Sequence, residues 1–531
     1  MQVGKKLKEI KKKKFIFIFI FFFAFFINFI YGSIGVFPLD SFSFFDTGFY
    51  VTMGYIPIKD YWAFSGVFID FIQSFFFLLF GISWKSYLIH SSLFNSLASV
   101  LVLYFFLKIN LNETIAIFFS LVFALLFYSV SGTPFSYQHS LFFSYCSLVF
   151  FLIGIIFKEK KFFFFLPTLL FCGFFSNQTP IGYVFLLILL FLVIYIIIHK
   201  NVFFLKPLIF GSLIPLFFLF FFLFLIEFNF ENFFYQTILF PLSIAEGRLS
   251  NSDFAFLKFS DQLRWGRLFT QFRFIHIQVL ILLIIFLFLK KKQITFILAF
   301  IISFTYILIY HQILTANQTF IFSIISIIAG YSFSLIQNSS EIKFKIIKIC
   351  IIGSCLFTTL QLHYIFNEKR HFQDLWSKKS SADLSKAVDA SLIHKKLSGL
   401  KWITIDFKDN PLQEVLLLKD TVDLLQNERQ NIMLITNYQF FSAVLNKNLN
   451  IPNRWVFDLH TYPTKNHKYF FFYKDFFLNK IKREKIEIIY IVDKKEETMF
   501  DSFSQYFDDT CFKKKKLNKI TASYFIGKCN G

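Results

Sequence analysis

Through the first 364 residues, apolar positions run on without the polar face that a soluble core helix would show. Stretches such as FIFIFIFFFAFFINFI are apolar all round, and a run of about twenty such residues crosses a bilayer. The pattern predicts about eleven spanning helices, near 15–34, 86–107, 114–130, 138–157, 162–176, 180–198, 203–225, 275–289, 294–310, 319–337 and 346–364. Two longer polar segments interrupt them, 35–85 and 226–274. Within the first, IDFIQSFFFLLFG is short and amphipathic. It predicts a helix lying in the membrane interface, with Phe and Leu in lipid and Asp70 and Gln73 facing water.

Beyond residue 364 the pattern changes. Short β-rich runs at 401–406, 431–436 and 486–493 alternate with helical patterns at 411–427, 438–447 and 469–485. That order predicts a soluble α/β domain with a largely parallel sheet. The division is therefore a membrane domain, 1–364, and a tail domain, 365–531. Asp406, Asn437 and Asp493 fall at predicted strand ends, where open α/β sheets meet ligands; the alternative is that they merely end the strands.

Composition supports this reading. Of 531 residues, 56% are hydrophobic and 89 are Phe, and the mean hydropathy is +0.60. The net charge of +21 would suit a nucleic-acid binder, but Phe, Ile, Lys and Asn are enriched together. Much of the Lys sits in short loops between spans: Lys5 to Lys14, Lys108, Lys158 to Lys161, His199 to Lys206, Lys290 to Lys292 and Lys343 to Lys348. With eleven spans all of these fall on one side, as short basic loops do on the cytoplasmic face. Nucleic acid is excluded as a partner. The N-terminus lies inside, the tail outside, and the first apolar run is too long and lacks the small-residue site of a cleaved signal peptide.

No GxGxxG, Walker loop, HExxH or paired CxxC is present, which argues against nucleotide binding and a structural zinc. Cys511 and Cys529 bracket a basic, strand-like run in the outer tail. An oxidising compartment favours a disulfide between them, with two free thiols as the alternative. The acids of the first outer segment are its most informative feature, because carboxylates beside a bilayer are costly and tend to be functional. Arg248, Arg264, Arg267 and Arg273 cluster in or beside the second outer segment and suit a phosphate; the alternative is interfacial anchoring together with Trp265. His311 is a further rim candidate, or a structural histidine. In the tail, the aromatic and polar loop at 451–463 holds Arg454, Trp455 and Asp458, which suit sugar binding or a lid.

The first outer segment resembles the GT-C superfamily of integral-membrane glycosyltransferases, nearest the bacterial aminoarabinose-transferase and protein-mannosyltransferase type. Asp46-Thr-Gly-Phe-Tyr50 is similar to that family's first acidic element, Lys59-Asp60-Tyr61 to its second, and Gly66 to Gly81 to the helix ending in Phe-Gly. Thr47 stands where the family has an acid, and Val67 where Pro is usual. The resemblance implies a lipid bilayer enzyme of the bacterial cytoplasmic membrane. It would move a sugar from a polyprenyl-phosphate donor to a cell-surface glycan or lipid acceptor on the outer face, with inversion. Asp46 would be the general base and Asp60 its orienter or a metal ligand, a divalent metal being the one cofactor in question. Arg248, Arg264, Arg267, Arg273 and His311 would meet the donor phosphate. Tyr50, Gln178, Gln318, Arg454, Trp455 and Asp458 would contact substrate; Gln178 and Gln318 belong to two Asn-Gln-Thr tripeptides at outer span ends. The competing classes are a flippase for the same lipid and a glycan ligase or polymerase.

Overall fold

The computed structural model describes residues 2–250, 264–289, 294–315, 320–457, 461–508 and 510–528, with residues 2–13 and 528 as backbone. Gln318, Asp458 and Cys529 lie outside the described residues. Among the described residues, eight helices are long and apolar enough to cross a membrane, from Lys14–Gly32 to Ile342–Gln373. The other predicted spans are also helical but shorter: Lys160–Ser176, Arg273–Leu289 and Ile324–Ile336. The chain is thus a polytopic helical protein that carries a small sheet near its C-terminus.

Lipid offers no hydrophobic drive for helices to associate, so polar and small residues hold them together. The first two long helices show this clearly. Asn28 Nδ2 donates to Ser91 Oγ and Ser92 Oγ, both at 3.0 Å, Asn95 Nδ2 donates to Ala24 O at 2.8 Å, and Ser96 Oγ to Phe21 O at 2.8 Å. At the outer end Gly32 meets Gly132; a Cβ on Gly32 would sit 2.5 Å from Gly132 O. The helix starts follow local sequence. Ser83 accepts from Ser86 N at 3.2 Å to cap Trp84–Lys108, and Asn112 accepts from Thr114 N at 3.0 Å to cap Glu113–Leu126.

The outer segment after the first span folds into three helices, Pro38–Ser41, Phe45–Thr52 and Val67–Phe80. The last exposes Phe75, Leu78, Leu79 and Phe80. Its polar face does not meet water. Asp70 and Gln73 are fully buried, Asp70 against Arg454 of the tail and Gln73 against His90, whose Nδ1 lies 2.8 Å from Gln73 Oε1. The correction has a simple cause: protein from the tail and from the Trp84–Lys108 helix occupies the side that solvent would otherwise take.

The tail's four-stranded sheet runs β3-β4-β6-β5, with β3 Ile432–Thr436, β4 Ile488–Val492, β5 Thr510–Lys516 and β6 Thr521–Lys528. Only β3 and β4 are parallel; β6 pairs antiparallel with both β4 and β5. The sheet is mixed rather than largely parallel, because the C-terminal basic run closes as a hairpin. The predicted strand at 401–406 is reduced to β2, Lys401–Trp402, which pairs with β1, Val388–Asp389, and bridges to Ile34 after the first span. Helices Pro411–Asn427 and Phe470–Arg483 match the periodicity, while the one expected over 438–447 shortens to Phe441–Leu445.

The tail is packed onto the first outer segment through one shared apolar core. Phe42 lies 5.8 Å from Trp402 and 5.1 Å from Phe440, ring centre to ring centre. At the centre of the junction, Arg454 and Asp70 form an ion pair with no solvent exposure to speak of, and Tyr61 donates to Asp70 at 2.8 Å. Removing one partner of such a pair strands a buried charge and costs about 3–5 kcal/mol, whereas a well-packed apolar pair is close to neutral. Arg454→Ala is therefore expected to release the tail, read as faster limited proteolysis after residue 365 and a lower unfolding temperature in detergent. Asp70→Leu combined with Arg454→Met should restore most of the loss.

Candidate functional site

Three cavities meet the outer parts of the fold. The first is a cleft with about 210 Å³ of free volume where the first outer segment, the second outer segment and the tail converge. It gathers Asp40, Gln178, Arg248 and Trp455, together with Ser65 and Tyr183. Asp40 sits in the short helix that Pro38 starts, half-buried, and among the described residues no donor bonds its carboxylate. Burial, and then the nearby Asp374 carboxylate, push its pKa up to about 7. Arg248 ends the Phe240–Leu249 helix and lies within electrostatic reach of Tyr137 and His311. Gln178 spends its amide N–H groups on Phe64 O at 2.7 Å and Thr237 O at 3.0 Å, leaving its carbonyl oxygen.

Buried polar groups in folded proteins are nearly always hydrogen-bonded. Among the described residues, Ser65 Oγ, Trp455 Nε1 and Arg248 Nε are buried atoms without a partner, and all three residues line this cleft. The cleft thus presents uncommitted donors beside one uncommitted carboxylate.

The second cavity, about 330 Å³, lies between the helices Val67–Phe80, Lys160–Ser176 and Leu205–Leu225. Its walls are Phe68, Phe71, Phe175, Phe222 and similar apolar side chains. Two strands of chain join it to the cleft: Val67 follows Ser65 by two residues, and Phe175 precedes Asn177 by two. A cleft with a few polar groups in a mainly apolar lining therefore lies close along the chain to an almost wholly apolar groove. The third cavity, about 520 Å³, contains Asp60, Lys59 and Glu227 opposite the Phe470–Arg483 helix.

The residues singled out from the sequence are distributed unevenly over these places. Asp46 is fully buried, and its two oxygens accept from Ser442 N at 3.2 Å and Ala443 N at 2.8 Å. It caps the tail helix Phe441–Leu445 and faces none of the three cavities. Tyr50 serves the same junction: its hydroxyl accepts from Leu449 N at 3.0 Å and lies 3.3 Å from Ser442 Oγ. Asp60 lines the third cavity and accepts from Ile56 N at 2.7 Å. Arg454 lies behind the cleft, with its guanidinium over Phe44 at 4.9 Å and over Trp455 at 5.3 Å. Arg264, Arg267 and Arg273 do not line the cleft. His311 is buried behind it, 5.2 Å from the Tyr137 ring. Cys511 is disulfide-bonded.

The strand-end residues turn out to be local. Asp406 pairs with Lys494 at 2.9 Å, Asn437 accepts from Val456 N at 3.3 Å, and Asp493 accepts from Lys495 N at 2.8 Å. Among the described residues no group of three or more His, Cys, Asp or Glu is placed to hold a metal ion. Asp40 and Ser65 carry weak sequence signals. The Pro38-Leu-Asp40 start of a helix directly after a span end was the available hint for Asp40. No protein-family model matches the chain, and no curated protein matches it.

Burial pushes the Asp46 carboxyl up to about 7, outweighing the Ala443 and Ser442 bonds that pull it down. The unfolded value is near 3.9, so the folded state holds the extra proton. This group's contribution to tail docking is complete below about pH 4 and is lost as pH rises through about 7. Asp46→Asn should flatten that part of the stability-pH curve between about pH 4 and 8 in chemical unfolding. Asp46→Ala should cost about 1–2 kcal/mol below about pH 4, where that contribution is complete, because it orphans two buried N–H groups.

Proposed function

We propose that the protein is a membrane glycosyltransferase that moves a sugar from a polyprenyl-phosphate donor to a cell-surface glycan or lipid acceptor at the outer membrane face. One observation supports it above the others: a cleft holding an unbonded carboxylate, an arginine and, in its lining residues, donors without partners among the described residues lies close to a groove lined by Phe. A ligand with a charged head on a long apolar tail suits both at once. The basic loops favour a bacterial cytoplasmic membrane with the N-terminus inside, eleven spans and the tail outside.

In this reading the base is Asp40 rather than Asp46, whose oxygens are already occupied by backbone N–H groups. Asp40 takes the proton of the acceptor hydroxyl as that oxygen bonds to the anomeric carbon. The bond from that carbon to the phosphate oxygen breaks on the opposite face, and the configuration inverts. The leaving phosphate gains negative charge, which Arg248 meets with a two-pronged donor. Trp455 Nε1 and Ser65 Oγ, buried and without partners among the described residues, are the donors that would turn to sugar hydroxyls or phosphate oxygens at the cleft wall.

The test is sugar transfer by purified protein in detergent, supplied with polyprenyl-phosphate sugars and an acceptor extract. Asp40→Asn is expected to lower the rate by about 10²–10⁴-fold, and Arg248→Ala by about 10²–10³-fold, with folding unchanged. Unaltered transfer in Asp40→Asn would sink the assignment of the base. Lipid-linked sugar crossing vesicle bilayers without any transfer would favour a flippase instead.

A base must be ionised to act, so the wild-type rate should rise with pH and level off above about 7. Asp374 lies close enough to hold the Asp40 pKa up. Asp374→Asn should therefore move the rise to lower pH without changing the plateau, as followed in a pH-rate profile.

A further inference from the structure

We propose that the third cavity is a separate saccharide-binding site that takes an uncharged or amine-bearing sugar unit. The cavity is about 520 Å³, inside the range of about 300–1,000 Å³ typical of small-molecule sites. It opens where the Lys59–Asp60 turn, the segment 227–232 and the tail helix Phe470–Arg483 meet. Two of its three cations pair with carboxylates, and the third bonds a backbone carbonyl. Lys59 pairs with Glu227 at 2.7 Å, Lys480 donates to Asp60 O, and Arg483 reaches Asp60 at 3.4 Å and Glu484 at 2.8 Å.

The uncommitted groups are of another kind. The side chains of Glu231, Asn232, Asp475 and Asn479 line the cavity, and among the described residues none has a hydrogen-bond partner. Two amides and two carboxylates offer several acceptors and fixed N–H donors, the complement of neighbouring hydroxyls on a pyranose ring. The same carboxylates would meet a sugar ammonium. Phe472 and Phe476 supply apolar walls, and Tyr235 and Trp62 back them at ring distances of 3.9 and 5.8 Å. The C–H face of a sugar packs on such surfaces. A phosphate or other anion is disfavoured, since four carboxylates (Asp60, Glu227, Glu231 and Asp475) line the cavity against three cations, two of them already ion-paired. A metal ion is disfavoured too, because no cluster of ligands is placed to hold one among the described residues.

The same two stretches of chain line this cavity and the cleft. One passes from Lys59 and Asp60 to Phe64 and Ser65, the other from Asn229 and Asn232 to Pro241 and Arg248. A glycan in the cleft could thus continue into this cavity. That continuity rests on the transfer reading; the binding itself does not.

The experiment is direct binding to the full-length protein in lipid nanodiscs, with no donor present. The probes are glucose, galactose, glucosamine, N-acetylglucosamine and mannotriose, followed by saturation-transfer NMR and calorimetry. Saturable binding of at least one probe is expected, weakened fivefold or more by Asp475→Ala and by Asn479→Ala. Both positions are exposed on a surface helix, and an unchanged unfolding temperature confirms that each variant folds. Absence of binding by all five sugars would overturn the proposal. So would equal binding by the variants, or binding of glycerophosphoethanolamine where the sugars fail. A protein inactive in transfer still answers this test, so the two readings fail separately.

Discussion

The buried pair of Asp70 and Arg454 is the contact on which the outer half of the molecule depends. Two charges taken out of water are expensive unless each is satisfied. Here Tyr61 adds a hydrogen bond to the carboxylate, and Phe44 and Trp455 flank the guanidinium. Arg454 Nε and Nη1 still lack partners among the described residues, so the pair is a device for holding position more than for gaining stability. What it positions is Trp455, the next residue in the chain, which forms one wall of the cleft. The tail is therefore part of the site.

The cleft and the apolar groove are joined through short pieces of backbone, from Ser65 to Val67 and from Phe175 to Asn177. A wholly polar ligand would leave the Phe-lined groove empty. A simple lipid would leave Ser65, Trp455 and Arg248 without partners. In the cleft, Asp40 is a half-buried carboxylate whose pKa burial raises to about 7.

Much of the helical architecture was legible because membrane helices write themselves as long apolar runs with basic breaks. The helix Pro411–Asn427 and the strands β3 and β4 were legible for the analogous soluble reasons. Three features were hidden. Asp70 and Gln73 were read as facing water, since nothing local to IDFIQSFFFLLFG tells that residues more than 380 positions later cover Asp70. Asp46 looked reactive because it stood in an acidic motif, yet its partners are backbone amides that carry no sequence signal. Asp40 carried little sequence signal for the converse reason: several of its neighbours in the cleft come from the second outer segment and the tail. A sheet that turns antiparallel at its end was likewise invisible until the Lys-rich run paired as a hairpin.

The shared core of the first outer segment and the tail has a consequence for how the molecule is made. The segment around residues 40–70 is synthesised early, while Trp402, Phe440 and Arg454 follow hundreds of residues later. During that interval Asp70 has no counter-ion, and Phe42 lacks the Trp402 and Phe440 rings that cover it. The cleft has no Trp455 wall until the last third of the chain reaches the same side of the membrane and folds. Assembly is therefore ordered in time: a truncated or stalled chain carries the carboxylate and the arginine but not a finished site. The cleft gains its full wall only when Trp455 and its neighbours in the tail have folded against it.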